Sequence, residues 1–303
     1  MSDFDSDFWS YYVTILTLAS VIGCGVFLWV VSIRRGKPGA KVDTTGHIWD
    51  EDLQEWNNPL PRWWMWLFYL TIVFSLIYLV LYPGLGKFGG VFGWSSQGQF
   101  NDEVAGAEQQ YGPIYNRYLQ QDLKAVAASA EAREMGHRLF LTYCSQCHGS
   151  DAGGASGFPN LRDHDWLYGG DPEIIKTSIA NGRSGVMPPL GAALGGEVEV
   201  KAVANYVLSL SGARHDAALA AKGKDKFVVC AACHGVEGKG NPAIGAPNLT
   251  DNVWLYGGSE KTIIETITLG RTGGMPAWKE RLGDAKVHVL AAYVYGLSQG
   301  DRK

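Results

Sequence analysis

The sequence is poor in charge and in cysteine, and each shortage excludes a class of protein. Charged residues make up 18% of the 303 residues and hydrophobic residues 46%, whereas a mostly disordered chain needs the opposite balance. The formal net charge is −4, so the chain lacks the basic excess of proteins that bind nucleic acid, and we expect no such partner. Five cysteines are too few for a disulfide scaffold in a chain of this length, so their arrangement is more informative than their number.

Charge is missing altogether from two runs, residues 13–33 and 63–82. Each run has about 20 residues, which is the length that an α-helix needs to cross a bilayer. Tryptophan or tyrosine lies at the start of each run, as at membrane interfaces. A pair of long core helices is the alternative. We predict one transmembrane helix within residues 1–35 and a second over residues 63–82, both in contact with membrane lipid.

Lysine and arginine are unevenly distributed around these two runs. The 20 residues after the second run contain Lys87 alone, and the segment before the first run contains none. The chain between the runs contains five basic residues, namely Arg34, Arg35, Lys37, Lys41 and Arg62. Basic loops stay in the cytoplasm. We therefore predict that loop 36–62 is cytoplasmic, that the chain lies in a bacterial inner membrane, and that both termini are periplasmic.

Beyond a connector at residues 83–130, which becomes helical from Pro113, the sequence is duplicated. The pattern Cys-x-x-Cys-His begins at Cys144 and returns 86 residues later at Cys230. Pro-Asn-Leu, Trp-Leu-Tyr-Gly-Gly and Met-Pro each return 88 residues after their first copies, which begin at Pro159, Trp166 and Met187. Two copies of this length indicate tandem domains, which we place at residues 131–211 and 212–303.

Helical patterns fill both copies of the repeat. In the first copy we predict helices over residues 131–143, 171–182 and 197–210. Their counterparts in the second copy are residues 218–229, 259–270 and 284–297. No stretch alternates as a strand does, so the predicted fold class is all-α, with two transmembrane helices followed by two small helical domains. The long loops between the short helices suggest that something other than protein fills each domain.

The Cys-x-x-Cys-His pattern is the attachment signature of c-type haem. Two thiols three residues apart can form thioethers to one porphyrin, and the adjacent histidine then supplies an axial nitrogen. We predict two covalently attached haem c groups. The thioethers would come from Cys144, Cys147, Cys230 and Cys233, and the axial nitrogens from His148 and His234. A structural zinc site and a redox dithiol are the alternatives, but zinc would need both cysteine pairs in one site.

Methionine is scarce, and two of the five methionines occupy equivalent places in the repeat. Met187 and Met275 each precede a proline, and we predict that they are the sixth ligands of the two haem irons. A thioether ligand raises the reduction potential, as a high-potential electron carrier requires. Filling of the core is the alternative role for a methionine. The spacing leaves open whether each methionine binds the haem of its own repeat or that of the other.

Each copy resembles a class I cytochrome c domain, with Gly-x-x-x-Phe in the first helix, Cys-x-x-Cys-His, Pro-Asn-Leu, and Met-Pro before the last helix. The resemblance implies that the carbonyl groups of Pro159 and Pro247 accept hydrogen bonds from the axial histidines. It also implies that glycines let the first helix cross the last near two tyrosines, the residues being Gly136, Gly223, Tyr206 and Tyr293. Six further residues of the repeat would either contact haem propionates or have ordinary packing roles. They are Trp166, Tyr168 and Arg183 in the first copy and Trp254, Tyr256 and Arg271 in the second.

The N-terminal third resembles the membrane-anchoring region of the dihaem subunit III (CcoP/FixP) family of cbb3-type cytochrome c oxidases. The most specific element is Asn58-Pro-Leu-Pro-Arg-Trp-Trp64, which follows an acidic run at Asp50–Glu55. Family membership implies a haem-copper catalytic subunit and a monohaem cytochrome subunit as partners, and a soluble cytochrome c as donor. The complex would reduce oxygen to water and pump protons, and this chain would carry electrons without an oxygen-reducing site of its own.

Other functions remain open at this point. The chain could be a dihaem carrier for a quinol-oxidising complex or a dehydrogenase, or a dihaem peroxidase, which would need an open position on one iron. Residues 131–211 contain nine acidic and six basic residues, and residues 212–303 contain nine and twelve. These opposite net charges could dock the two domains or steer a charged partner. The acidic run at Asp50–Glu55 is a solvated loop or a docking site.

Overall fold

The computed structural model describes residues 6–33 and 41–299, and these fall into two compact units that divide after Ala107. The basic residues Arg34, Arg35 and Lys37 of the orientation prediction lie outside the described residues. Each unit is described separately below. The first contains the two apolar runs, and the second contains both copies of the repeat.

The first unit has two long apolar helices and a small β-hairpin. Its elements are α1 Asp7–Ile33, β1 Thr44–Trp49, β2 Leu53–Trp56, α2 Arg62–Leu81 and the first half of α3 Ser96–Leu119. Helices α1 and α2 are long and apolar enough to cross a membrane, and they pack on each other. The ammonium nitrogen of Lys87 lies 2.5 Å from a carboxylate oxygen of Asp7, and the backbone N–H of Lys87 donates to the hydroxyl oxygen of Ser10. The start of α1 and the chain after α2 therefore lie at the same end of the pair.

The second unit is mainly helical. Its elements are α4 Leu123–Ala128, α5 Ala130–Tyr143, α6 Ser145–His148, α7 Pro172–Asn181, β3 Arg183–Met187, α8 Gly191–Leu194, α9 Glu197–Leu210, α10 Ala217–Lys226, α11 Val228–His234, α12 Glu260–Leu269, β4 Arg271–Met275 and α13 Lys279–Gln299. Side chains cap the N-termini of the middle helices. The Asp171 carboxylate accepts from the N–H of Glu173, and the Ser259 hydroxyl accepts from that of Thr262. Four of the six predicted helices match these bounds to within one residue. The helix predicted at residues 218–229 is instead divided at Phe227 into α10 and α11. Gly283, with a φ of 76°, interrupts α13, and this explains a predicted start at 284.

The prediction of an all-α chain holds for the helical majority and misses the strands. Within the described residues, β1 pairs with β2 and β3 pairs with β4, in two antiparallel ribbons. Strands β3 and β4 have five residues each and contain glycine, so they show no alternating pattern. They pair because the tertiary fold brings the two repeats together, which local sequence does not reveal. The connector at residues 83–130 also differs from its prediction, because helix α3 begins at Ser96 and not at Pro113.

The last helices of the two repeats are exchanged. Helix α5, the first of copy one, packs on α13, the last of copy two, and α10 packs in the same way on α9. The middle helices pack in the same crossed pattern: α7 of copy one packs on α13, and α12 of copy two packs on α9. We call α4–α7 with α13 the first lobe, and α8–α12 the second lobe. A boundary at residue 211 separates the repeats in the sequence but not the lobes in the structure.

Glycines permit the exchanged helix crossings. A Cβ atom at Gly136 would lie 2.4 Å from Cβ of Tyr293, and one at Gly223 would lie 2.1 Å from the carbonyl oxygen of Ala202. The predicted crossings are therefore present, but each one joins the first helix of one repeat to the last helix of the other. Bare backbone is needed at both places, because any side chain would push the two helices apart.

The exchange also removes the charge contrast between the repeats. Residues 188–270, which hold the second lobe, contain eight acidic and seven basic residues. Residues 108–187 and 271–299, which hold the first lobe, contain eleven of each. Helix α13 and the strand before it bring four bases and two acids to the acidic first repeat. Over these residues the net charge of each lobe is therefore −1 or zero, so the opposite net charges of the repeats do not carry over to the lobes.

Candidate haem sites

Both Cys-x-x-Cys-His motifs lie on a short helical turn that ends at a glycine. In the first lobe α6 ends at His148 and is followed by Gly149, with a φ of 79°; in the second, α11 ends at His234 and is followed by Gly235, with a φ of 78°. The left-handed residue turns the chain back over the histidine at once, a conformation that favours glycine. Both histidines are buried as a result.

The histidines of the two motifs have the partners that the resemblance implies. Nδ1 of His148 lies 3.0 Å from the carbonyl oxygen of Pro159, and Nδ1 of His234 lies 3.0 Å from that of Pro247. Because a carbonyl oxygen can only accept, the hydrogen bond requires a proton on Nδ1. Nε2 is then left with a free lone pair, which is the form that binds a metal. The expected hydrogen bonds are present in both lobes.

The four cysteines of the motifs are free thiols, and the two of each pair differ in exposure. Cys144 and Cys230 are buried, whereas Cys147 and Cys233 are exposed. Burial, followed by the neighbouring Cys147, raises the pKa of Cys144 to about 11, and burial likewise raises that of Cys230. A reactive redox dithiol needs a lowered thiol pKa instead. The two pairs lie in separate hydrophobic clusters, which does not fit one shared zinc site.

The two candidate methionines lie at opposite ends of the β3–β4 ribbon. Arg183 pairs with Met275, and Met187 pairs with Arg271. At about 3.3 Å per residue, the two methionines are about 13 Å apart along the ribbon. Met275 packs against the cluster that contains Cys144, and Met187 packs against the cluster that contains Cys230. Each methionine therefore lies in the lobe that holds the Cys-x-x-Cys-His motif of the other repeat.

Backbone contacts fix these crossed positions. A Cβ atom at Gly182, the residue after α7, would lie 2.4 Å from the carbonyl oxygen of Met275. One at Gly270, the residue after α12, would lie 2.4 Å from that of Met187. The N–H of Trp278 donates to the carbonyl of Ile179, and the N–H of Leu190 donates to that of Ile267. The sequence suggested these glycines only as helix ends. Their 88-residue spacing was the available signal for a further role.

The arginines of the repeat are held by side chains of their own repeat. The guanidinium of Arg183 lies 4.6 Å from the ring centre of Tyr168, and its Nε–H donates to Ser178. Arg271 makes the same pair of contacts with Tyr256 and Thr266. Trp166 and Trp254 pack in the first and second lobes, respectively. The structure thus supports packing roles for these residues, and contact with haem propionates stays a prediction.

A cavity of about 480 Å³ lies between the Pro-Asn-Leu loops of the two repeats. Pro159, Trp166, Pro247 and Trp254 are among its lining residues, whereas the axial histidines and methionines are not. It therefore adjoins the two candidate sites without being either of them. Of the other histidines, His288 is buried; its Nε2 lies 3.0 Å from the carbonyl oxygen of Gln121, away from both motifs.

The residues present fit two haem c groups. Each lobe offers two free thiols, a buried imidazole with its Nδ1 committed to a carbonyl, and a partly buried methionine in the same hydrophobic cluster. This donor set of thiols, one nitrogen and one thioether is the one that covalent attachment and six-coordinate iron require.

Family models of cbb3-type cytochrome oxidase proteins match three ranges of the chain. The model of the family described as "N-terminal domain of cytochrome oxidase-cbb3, FixP" matches residues 41–89. The model described as "Cytochrome C oxidase, cbb3-type, subunit III" matches twice, at residues 131–207 and 218–294. The matched ranges coincide with the hairpin and second apolar helix and with the two copies of the repeat.

Curated proteins are similar over most of their length. The chain is 52% identical to the Cbb3-type cytochrome c oxidase subunit CcoP of Rubrivivax gelatinosus, over 99% of this chain and 98% of that protein. It is 43% identical to the protein of the same name from Cereibacter sphaeroides, over 89% and 99% of the two chains. It is 41% identical to the subunit FixP of Azorhizobium caulinodans, over 85% and 93%.

Proposed function

The chain belongs to the CcoP/FixP family of cbb3-type cytochrome c oxidase subunits, and from that premise we propose how its residues serve electron transfer. It is an electron-transfer subunit of such an oxidase. In our proposal it receives electrons from a soluble cytochrome c in the periplasm and works beside a monohaem cytochrome subunit and a haem-copper catalytic subunit. That complex reduces oxygen to water and pumps protons, while this chain contributes no oxygen-reducing site.

The ligand sets that we propose are crossed between the repeats. Cys144 and Cys147 would form the thioethers of one haem c, His148 would supply the nitrogen ligand, and Met275 would supply the sulfur ligand. The second set follows the same pattern and consists of Cys230, Cys233, His234 and Met187. The packing of each methionine in the lobe of the other repeat's motif supports this assignment over an uncrossed one.

Bound haem c supplies a one-electron iron couple, and the protein tunes it. The carbonyls of Pro159 and Pro247 orient the imidazoles and raise their basicity by accepting from Nδ1. The methionine sulfurs favour the reduced state and raise the potential. The hydrophobic clusters against which the two methionines pack would limit the access of water to a haem bound there. Each lobe is built to hold an electron at high potential and does not present an open position for a substrate.

Helices α1 and α2 serve as the membrane anchor in this proposal. The contact of Lys87 with Asp7 supports a helical pair whose start and exit are at the same side of the membrane. With the basic loop in the cytoplasm, that side is the periplasm, and the haem lobes follow α2 there. Protease added outside spheroplasts should then remove the lobes and spare the loop; protection of the lobes would contradict this orientation.

The observation that carries the proposed function is the paired set of buried imidazoles, each with Nδ1 3.0 Å from a proline carbonyl and each beside two free thiols. The test is haem analysis of the purified native complex. We expect two haem c groups per chain by pyridine haemochrome and peptide mass, both low-spin and unreactive toward carbon monoxide. One haem per chain, or purification without copper and an oxidase subunit, would refute the proposal.

A further inference from the structure

The β1–β2 hairpin exposes apolar side chains on both of its faces. Trp49 pairs with Leu53 across the strands and Ile48 pairs with Gln54, so these two pairs lie on opposite faces. Trp56 lies two residues after Gln54 and shares the face of Ile48. Exposed fractions are 55% for Ile48, 49% for Trp49, 62% for Leu53 and 65% for Trp56. Large apolar side chains on both sides of one ribbon are unusual for a loop that faces only water.

The hairpin has too little of its own to hold it together. It has two strands of six and four residues, and nearly all of their side chains are exposed. The ring stack of His47 on Trp49, with centres 4.7 Å apart, lies within a single strand. An isolated two-stranded ribbon is marginally stable in water. A surface that covers the hairpin would therefore stabilise it.

The turn at the tip of the hairpin is acidic and has an uncommon backbone conformation. Asp50 and Glu51 both have positive φ, 44° and 74°, which is uncommon for residues other than glycine. Asp52 and Glu55 add to the negative charge, and within the described residues no ion pair involves any of these carboxylates. The turn thus presents a compact group of carboxylates at the end of an apolar ribbon, in a conformation that asparagine or glycine would adopt more easily.

The occupant that fits these features is a protein surface. A membrane can cover only one face of a ribbon, whereas a groove in a protein covers both. Carboxylates are repelled by anionic lipid of the cytoplasmic leaflet, but they are favourable against lysine or arginine. The hairpin is also confined to the membrane surface, because α2 begins only six residues after Trp56. The partner must therefore expose its groove at that surface.

We propose that the β1–β2 hairpin docks into a groove with apolar walls and a basic end on the cytoplasmic surface of another subunit of the oxidase. This inference rests on the proposed function for the identity of the complex. The two tryptophans bind in the walls, and the carboxylates of Asp50, Glu51 and Asp52 meet the basic end. The hairpin is then the cytoplasmic anchor of the chain in the complex.

Site-specific photocrosslinking in the native complex tests the contact. Trp56→benzoylphenylalanine and Leu53→benzoylphenylalanine sample the two faces in separate samples. We expect both to crosslink to another oxidase subunit upon irradiation, in complexes with full haem content. Crosslinks to lipid alone, or no crosslinks in an intact complex, would overturn the inference and leave the proposed function standing. Full-length haem-loaded chain that purifies without oxidase subunits would overturn both.

A charge variant with a matched control tests the acidic tip. Glu51→Gln/Asp52→Asn removes two adjacent carboxylates of the hairpin, and Asp102→Asn/Glu103→Gln removes two exposed ones from α3. We expect the first variant to lose the catalytic subunit at a lower salt concentration than the wild type does, at unchanged haem per chain, because salt screens the remaining charge pairs. The control should match the wild type. Equal retention by both variants would refute the role of the tip.

Discussion

The two lobes carry equivalent chemistry but are built differently. The second lobe is one continuous stretch of chain, α8–α12, whereas the first combines α4–α7 with the distant α13. The chain leaves the first lobe along β3, forms the second lobe, and returns along β4. A duplicated sequence has thus folded as one lobe inserted into another. The comparison teaches that the unit of repetition in the sequence is not the unit of packing.

The lobes also differ in what covers the exchanged helix. In the first lobe α4 packs over α13, and His288 is buried beneath it. The equivalent residue of α9, 87 positions earlier, is the exposed Lys201. The second lobe instead has a buried polar residue, Asn205, where the first has Ala292. Because of these contrasts, we expect truncation, substitutions and acid to destabilise the two lobes to different extents.

Removal of α13 should have the largest effect and should act on the first lobe. A chain that ends after Trp278 keeps Met275 but loses the helix on which α5 and α7 pack. We expect limited proteolysis to digest residues 123–182 rapidly and to leave residues 188–270 resistant. Lobes that followed the sequence repeats would give the reverse pattern, with the first repeat resistant.

Substitution of the glycines beside the methionines should act on one lobe at a time. Gly182→Ala places a Cβ atom against the Met275 carbonyl at a φ of 72°, and Gly270→Ala does so against Met187. We expect each to destabilise its lobe by about 2 kcal/mol or more, measured by chemical unfolding and lobe-resolved hydrogen exchange.

Gly212→Ala is the control for these two variants. It has the same φ of 72° but open space around it, so only backbone strain is added. We expect a cost of about 1 kcal/mol. Equal effects of all three substitutions would show that the close contact with the methionine backbone is absent.

Loss of Asn205 should weaken the second lobe alone. Its amide donates to Glu260 of α12 at 2.8 Å and accepts from the N–H of Asp216, the N-cap of α10, at 2.8 Å, so it links α9, α10 and α12. Asn205→Ala removes both of these hydrogen bonds. We expect a loss of about 1–3 kcal/mol in the second lobe by hydrogen exchange, with the first lobe unchanged. An equal loss in both lobes would show that they unfold together.

Acid should affect the first lobe slightly more than the second. Burial, followed by the nearby Lys176, lowers the pKa of His288 from 6.5. The groups that face it are Lys176 and Glu173 of α7, and Gln121 and Asp122 before α4. Because the unfolded chain protonates His288 more readily than the folded one, the contribution of His288 to stability is constant above about pH 6.5 and falls as the pH drops toward the lowered pKa. His288→Gln should remove this dependence from hydrogen exchange of the first lobe; an unchanged pH profile would contradict it.

Local sequence was sufficient for the parts of the structure that local chemistry determines. The helix bounds follow from capping at Asp171 and Ser259, and the buried histidines of the candidate sites were located by the Cys-x-x-Cys-His spacing. The exchange of α9 and α13 could not be predicted, because both helices carry interchangeable apolar faces and either would cover either repeat. The β3–β4 ribbon was missed for the same reason, since Gly185 and Gly273 pair only after the repeats have come together.

The most direct test of the crossed sites is to identify which methionine binds which haem in the intact chain. In the reduced protein with ¹³C-methyl methionine, the nuclear Overhauser effects of each ligand methyl identify its porphyrin. We expect the Met275 methyl to contact the porphyrin attached to Cys144 and Cys147, and the Met187 methyl to contact the one attached to Cys230 and Cys233. The opposite pairing would contradict the exchange of the two repeats.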